Sequence, residues 1–151
     1  MKKLITLIYL IVAGWSGSIM AASVSTHLMF QGSMDEAINL YKSVFPEFVV
    51  QSQELHDSGE LKGKVRLAHV KFAGHDLVFF DSPPVHNFTF TPSMSLYVEF
   101  DDPDQLKQAF ETLSEYGEVA MPLNEYEFSS LYGWLQDKYG VSWQLSLKDA
   151  D

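Results

Sequence analysis

The chain has 151 residues, of which 46% are hydrophobic, 14% aromatic and 20% charged, a composition that suits one folded domain and excludes disordered, collagen-like and coiled-coil chains. It contains no cysteine, which removes disulfide scaffolds, thiolate metal centres, cysteine nucleophiles and cysteine-linked lipid anchors. Twenty acidic residues against ten basic ones give a formal charge of -10, repelling phosphate backbones and anionic lipid, so no nucleic acid partner is expected.

Lys2 and Lys3 precede an apolar run over residues 4–12, which Gly14, Ser16, Gly17 and Ser18 interrupt before the small residues Ala21, Ala22 and Ser23. This is the order of a secretory signal peptide. The run falls short of the roughly 20 apolar residues that a membrane span needs. Residues 1–22 are therefore expected to be cleaved on export, with an uncleaved anchor and a tolerated tail as alternatives. The mature protein is expected to be periplasmic or secreted and free of the membrane.

Residues 26–31 read as a strand, after which Gly32 leads into Ser33-Met34-Asp35-Glu36, a pattern that predicts a capping box. Ala37, Ile38, Tyr41, Val44 and Phe45 fall on one face of the helix that follows, and Pro46 stops it. Strands are expected over residues 48–53 and 64–72, then a hairpin through Ala73-Gly74-His75 into Leu77-Val78-Phe79-Phe80. Residues 82–87, with Pro83 and Pro84, form a linker. The order then repeats. A strand over 93–100 meets a second capping pattern, Asp102-Pro103-Asp104-Gln105, with Pro at the first helical position. Leu106, Ala109, Phe110, Leu113 and Tyr116 line the second helix, Gly117 caps it, and strands follow over 118–123, 128–135 and 141–147. Each half is β-α-β-β-β, so the fold class is α+β: one domain over residues 24–149 with modules 26–81 and 93–147 whose curved sheets form a cleft.

The residues Leu28-Met29-Phe30-Gln31-Gly32, Glu36-Ala37-Ile38-Asn39-Leu40-Tyr41, Phe45-Pro46 and Phe90-Thr91-Pro92-Ser93-Met94-Ser95 resemble the vicinal oxygen chelate superfamily, the glyoxalase, bleomycin-resistance and extradiol-dioxygenase group. The stretch from Gly133-Trp134-Leu135-Gln136-Asp137 through Lys138-Tyr139-Gly140-Val141-Ser142-Trp143-Gln144 is the most specific, and the PhnB-like branch, labelled 3-demethylubiquinone-9 3-methyltransferase-like, is the best match. The resemblance covers residues 26–147. It implies paired βαβββ modules, a cleft and a homodimer. Methyl transfer is not expected, because no Gly-rich strand-to-helix loop offers a methyl donor a site.

The resemblance also implies positions for a divalent metal. His27 is the strong donor available on the first strand, Ser93 stands where metal-binding relatives have His, and Val78 and Phe80 leave Asp81 at the end of the first module. Gln144 replaces a ligand Glu, and a neutral amide serves a hard cation poorly. His27, Asp81 and Gln144 are thus weak metal candidates, and no tightly held cofactor is expected. The cleft is expected to bind its ligand through His27, Phe79, Asp81, Phe90, Tyr97, Trp134 and Gln144, with Glu99 among the polar groups that could converge there. Trp134 and Trp143 can each face the cleft or pack on the sheet, packing being the commoner fate. His56, His75 and His86 fit surface turns, His69 a partly exposed strand position, and Glu125 and Glu127 a solvated loop or a base over the cleft mouth. The Asn87-Phe88-Thr89 glycosylation pattern reads as chance.

Three functions follow in order of preference. The first is a carrier that takes a small, partly apolar molecule. The second is a metal-dependent glyoxalase-like lyase, isomerase or dioxygenase. The third is a protein-interaction module with a vestigial cleft.

Overall fold

The structure, a computed structural model, describes residues 22–149, so the expected leader lies outside the described residues except for its last residue. Two modules repeat one element order. The first comprises β1 (Thr26–Phe30), α1 (Met34–Val44), β2 (Phe48–Leu55), β3 (Val65–Phe72) and β4 (His75–Asp81), and the second comprises β5 (Leu96–Phe100), α2 (Pro103–Ser114), β6 (Glu118–Tyr126), β7 (Ser129–Gln136) and β8 (Ser142–Leu147). The sheets run β1-β4-β3-β2 and β5-β8-β7-β6. In each, the first strand pairs in parallel with the last and the other pairs are antiparallel. This is the α+β, two-βαβββ architecture. No helix among the described residues is long and apolar enough to cross a membrane.

Both helices form where apolar periodicity places them, but their ends differ from expectation. Ser33 makes no side-chain capping bond. Its backbone lies near φ -118°, ψ 10°, outside the extended conformation that turns a capping hydroxyl onto the first helical turn. The Asp81 carboxylate, arriving at the end of β4, accepts from Gly32 N and Met34 N instead. Glu36 pairs with Lys64 at 3.5 Å rather than closing a box. In α2 the expectation holds at the cap, where Asp102 accepts from Asp104 N at 2.9 Å and Pro103 follows.

Tyr116 does not line α2. It takes φ 60° beyond the helix end and is 83% exposed, so it adopts the left-handed turn that Gly117 was expected to supply. Gly117 is needed for another reason: a Cβ there would run into the Gln136 carbonyl oxygen on β7. Backbone cannot swing aside as a side chain can, so Gly117→Ala is expected to lower stability by about 1–3 kcal/mol, read as a drop in the urea midpoint.

Strand β5 begins at Leu96 instead of Ser93 because residues 91–94 close a turn, Met94 N donating to Thr91 O at 3.2 Å. Strand β6 runs past its expected end to Tyr126, tolerating Pro122 through register shifts against β7.

One core joins the modules. Ala37, Ile38 and Tyr41 of α1 and Leu106, Ala109, Phe110 and Leu113 of α2 pack with Phe30, Phe72, Phe79, Leu135 and Leu145 of the sheets. Trp143 on β8 reaches into the first module, stacking on Phe45 at 5.2 Å and meeting Tyr41 edge-on at 5.0 Å. Beneath it the buried Asp137 carboxylate accepts from Tyr41 Oη (2.7 Å), Trp143 Nε1 (2.9 Å), Tyr139 N (2.9 Å) and Val141 N (3.1 Å). Burial pushes the Asp137 carboxyl above its ordinary pKa, and these hydrogen bonds offset part of that rise.

Candidate functional site

Strand alternation gives each sheet one face against the helices and one outer face. On β8, Trp143 and Leu145 are buried toward the helices, which leaves Ser142, Gln144 and Ser146 on the outer face. Register carries the row sideways: Tyr97 of β5 and Trp134 of β7 flank Gln144, while Glu99 and Tyr132 flank Ser146.

A hydrogen-bonded relay crosses this face. Tyr132 Oη donates to Gln144 Oε1 at 2.9 Å, and Gln144 Nε2 donates to Ser95 Oγ at 3.1 Å. Ser95 Oγ lies 2.7 Å from Ser142 Oγ, which also accepts from Trp134 Nε1 at 2.8 Å. Burial, and then the neighbouring phenols of Tyr97 and Tyr126, raise the Tyr132 pKa, so its hydroxyl stays a donor at neutral pH. The relay has no net charge.

Strands β1 and β5 face each other across the seam between the sheets without pairing. A cavity of about 200 Å³ lies there, walled by His27 and Met29 of β1, by Phe88 and Phe90 from the segment between β4 and β5, and by Leu96 and Val141. Ser95 and Ser142 also line it, so the relay forms a polar strip in a mostly apolar wall that Thr26, Thr89 and Thr91 border as well. A second hollow of about 510 Å³ adjoins it, lined by Tyr97 and Glu99 with His75 and Lys148. The smaller space, with few polar groups among apolar walls, has the usual make-up of a small-ligand pocket.

His27 and Phe90, both expected in the cleft, line the cavity. His27 is exposed and meets Phe80 edge-on at 6.2 Å, and Phe90 packs edge-on against Phe30 at 5.1 Å. Tyr97 lines the adjoining hollow. Trp134 and Gln144 stand on the outer face and reach the cavity through the two serines. Phe79 and Asp81 are corrections. Phe79 is fully buried against Phe30, Tyr41 and Phe48, and Asp81 is fully buried with its carboxylate on backbone amides. A step of one residue along β4 changes the face, so Val78 and Phe80 hold the outer positions.

Ser95, Ser142 and Tyr132 were not anticipated, although the alternation of Ser142, Gln144 and Ser146 with apolar neighbours in β8 carries the signal. His56 is half-buried rather than on the surface, its Nε2 3.1 Å from Asp81 O. His75 meets Thr26 Oγ1 at 2.9 Å and His86 stacks on Phe88 at 4.9 Å, both exposed, as is His69. Glu125 and Glu127 are exposed at the β6–β7 end.

These donors do not fit the divalent metal that the fold implies. Asp81 faces the helices and caps α1, and both ends of the Gln144 amide are engaged in the relay. Among the described residues no three His, Asp or Glu side chains gather around one point.

Paired βαβββ modules with a cavity at their seam define a glyoxalase-fold protein. The chain belongs to the 3-demethylubiquinone-9 3-methyltransferase family, PhnB-like in character, which it matches over residues 22–146. It is similar to a solved putative 3-demethylubiquinone-9 3-methyltransferase, PhnB protein, from Bacillus cereus, with 41% identity, 84% of this chain and 100% of that chain covered, and a TM-score of 0.78. Protein YjdN of Escherichia coli (strain K12) is 25% identical over 139 residues, 82% of this chain and 94% of the relative. A lactoylglutathione lyase structure from Agrobacterium tumefaciens, at 17% identity, 84% and 93% coverage and a TM-score of 0.51, shares the fold alone.

Proposed function

We propose that the protein binds a small, partly apolar molecule in the seam cavity without a tightly held metal. The reading rests on one observation: Ser95 and Ser142 belong both to the cavity wall and to the uncharged relay. Apolar walls supply affinity by removing surface from water, while the strip fixes orientation. The Ser95 and Ser142 hydroxyls bond each other, Gln144 and Trp134 rather than His27, so no base activates either as a nucleophile, and capture rather than turnover is the function assigned.

A second copy completes the reading as a homodimer. Met29, Leu67, Val78 and Phe80 make a half-buried apolar outer face on the first sheet, which a partner chain would cover. Export, inferred from the residues ahead of the domain, would place this binding outside the cytoplasm.

The test is a thermal-shift screen of small neutral compounds, since a ligand that binds only the folded state raises the melting temperature by mass action. A class of apolar compounds is expected to shift the wild type, and Leu96→Trp, which fills the cavity, is expected to abolish the shift. A stoichiometric divalent ion in the purified protein, lost on His27→Ala, would overturn the reading in favour of a metal-dependent enzyme.

A further inference from the structure

The relay leaves one donor over. A hydroxyl carries one hydrogen and two acceptor lone pairs. Ser142 Oγ accepts from Trp134 Nε1, and Ser95 Oγ accepts from Gln144 Nε2. The two oxygens then share one hydrogen bond at 2.7 Å, in which either can be the donor. If Ser142 donates, Ser95 accepts twice and its own hydrogen is unspent. If Ser95 donates, Ser142 accepts twice and keeps its hydrogen. Two hydroxyl hydrogens serve one mutual bond in both cases, and neither oxygen makes a further bond among the described residues. Both serines line the cavity, so the spare hydrogen has that space to point into.

A donor left over in a half-buried, mostly apolar space favours an acceptor from outside. A carboxylate is a poor choice there. The apolar walls would penalise its charge, no lysine or arginine lines the cavity to pair with it, and the chain as a whole carries a formal charge of -10. An ammonium would meet another donor, and a hydroxyl that accepted here would leave its own hydrogen unpaired among mostly apolar walls.

Resting on the seam cavity as the binding site, we infer that the ligand presents a neutral hydrogen-bond acceptor, a carbonyl oxygen on an apolar body, to the unspent hydroxyl of the Ser95–Ser142 pair. The pair behaves as a two-position switch. Either serine can be the outward donor, so losing one hydroxyl leaves the other able to serve. This separates the pair from a single fixed donor, where one substitution would remove all discrimination.

Acetophenone and α-methylstyrene test this, because they differ in shape little beyond a carbonyl oxygen exchanged for a methylene group. Binding of each to the full chain is followed by nuclear magnetic resonance titration. Wild type is expected to prefer acetophenone by about 2- to 10-fold, the range of one net hydrogen bond. Ser95→Ala and Ser142→Ala are each expected to keep part of that preference. The double variant is expected to bind the two compounds equally, its retained affinity for α-methylstyrene showing that the cavity is still formed.

Equal binding by wild type, or a preference that survives in the double variant, overturns the carbonyl inference and leaves the cavity reading intact. Failure of wild type to bind either compound overturns both.

Discussion

Asp137→Ala is expected to lower folding stability by about 3–5 kcal/mol, the range for removing one partner from a buried, fully hydrogen-bonded charged cluster. Four donors converge on that carboxylate, and two of them, the Tyr41 hydroxyl and the Trp143 indole N–H, come from different modules. Alanine leaves the hydroxyl, the indole and two amides facing an apolar hole. Asp137→Asn keeps one acceptor oxygen but turns an NH₂ toward other donors, so its loss is expected to be smaller yet clear. Urea unfolding measures both, and a loss under about 1 kcal/mol for alanine would show that the cluster does not hold the modules together.

The same group has a pH signature. Its carboxyl is raised in the fold chiefly by burial, so between its unfolded value near 3.8 and the higher folded one the native state binds more protons than the unfolded chain. The contribution of this group is therefore fully present in acid and lost as pH rises through the folded pKa. Asparagine does not titrate there. Measured between about pH 4 and 7, the stability gap between wild type and Asp137→Asn is expected to widen toward the acid end.

The second large effect is expected at Asp81. Asp81→Ala removes the acceptor for Gly32 N and Met34 N and leaves the start of α1 uncapped in a buried setting. A lost cap contributes about 1 kcal/mol and an orphaned buried amide about as much again or more, so a total near 2–3 kcal/mol is expected. If Asp81 served the ligand instead, the substitution would leave the unfolding midpoint almost unchanged and alter binding. Its carboxyl is also raised by burial, against the smaller opposing pull of Gly32, Met34, His56 and Lys64. Its pH dependence therefore has the same sign as that of Asp137.

What could be read in advance follows from the range over which each interaction acts. The repeated βαβββ order was legible because helix periodicity, Pro46, Asp102-Pro103 and the glycine turns are local signals. The phase of β4 was not. Leu77-Val78-Phe79-Phe80 is apolar at every position, so alternation cannot say which residues face the helices, and Phe79 was placed on the wrong side. In β8 the small and polar residues alternate with apolar ones, which puts Gln144 on the face away from the core. The clasps were out of reach for another reason. Ser33 looked like a cap until Asp81, 47 residues beyond Met34, took the role, and Tyr41 meets Asp137 across 96 residues. Ser95 and Ser142 became interesting only when register brought β5 and β8 together.

The placement of Trp143 bears on what happens to a severed chain. Its indole belongs to the second module, whereas the rings that hold it, Tyr41, Phe45 and Phe72, belong to the first. Neither half can satisfy its own interior alone, since one would show water an aromatic socket and the other an unsheathed indole. A protease cut in the proline-containing connection should therefore yield two pieces that stay together as a nicked native protein. Expressed separately, each piece should be soluble and folded only in the company of the other.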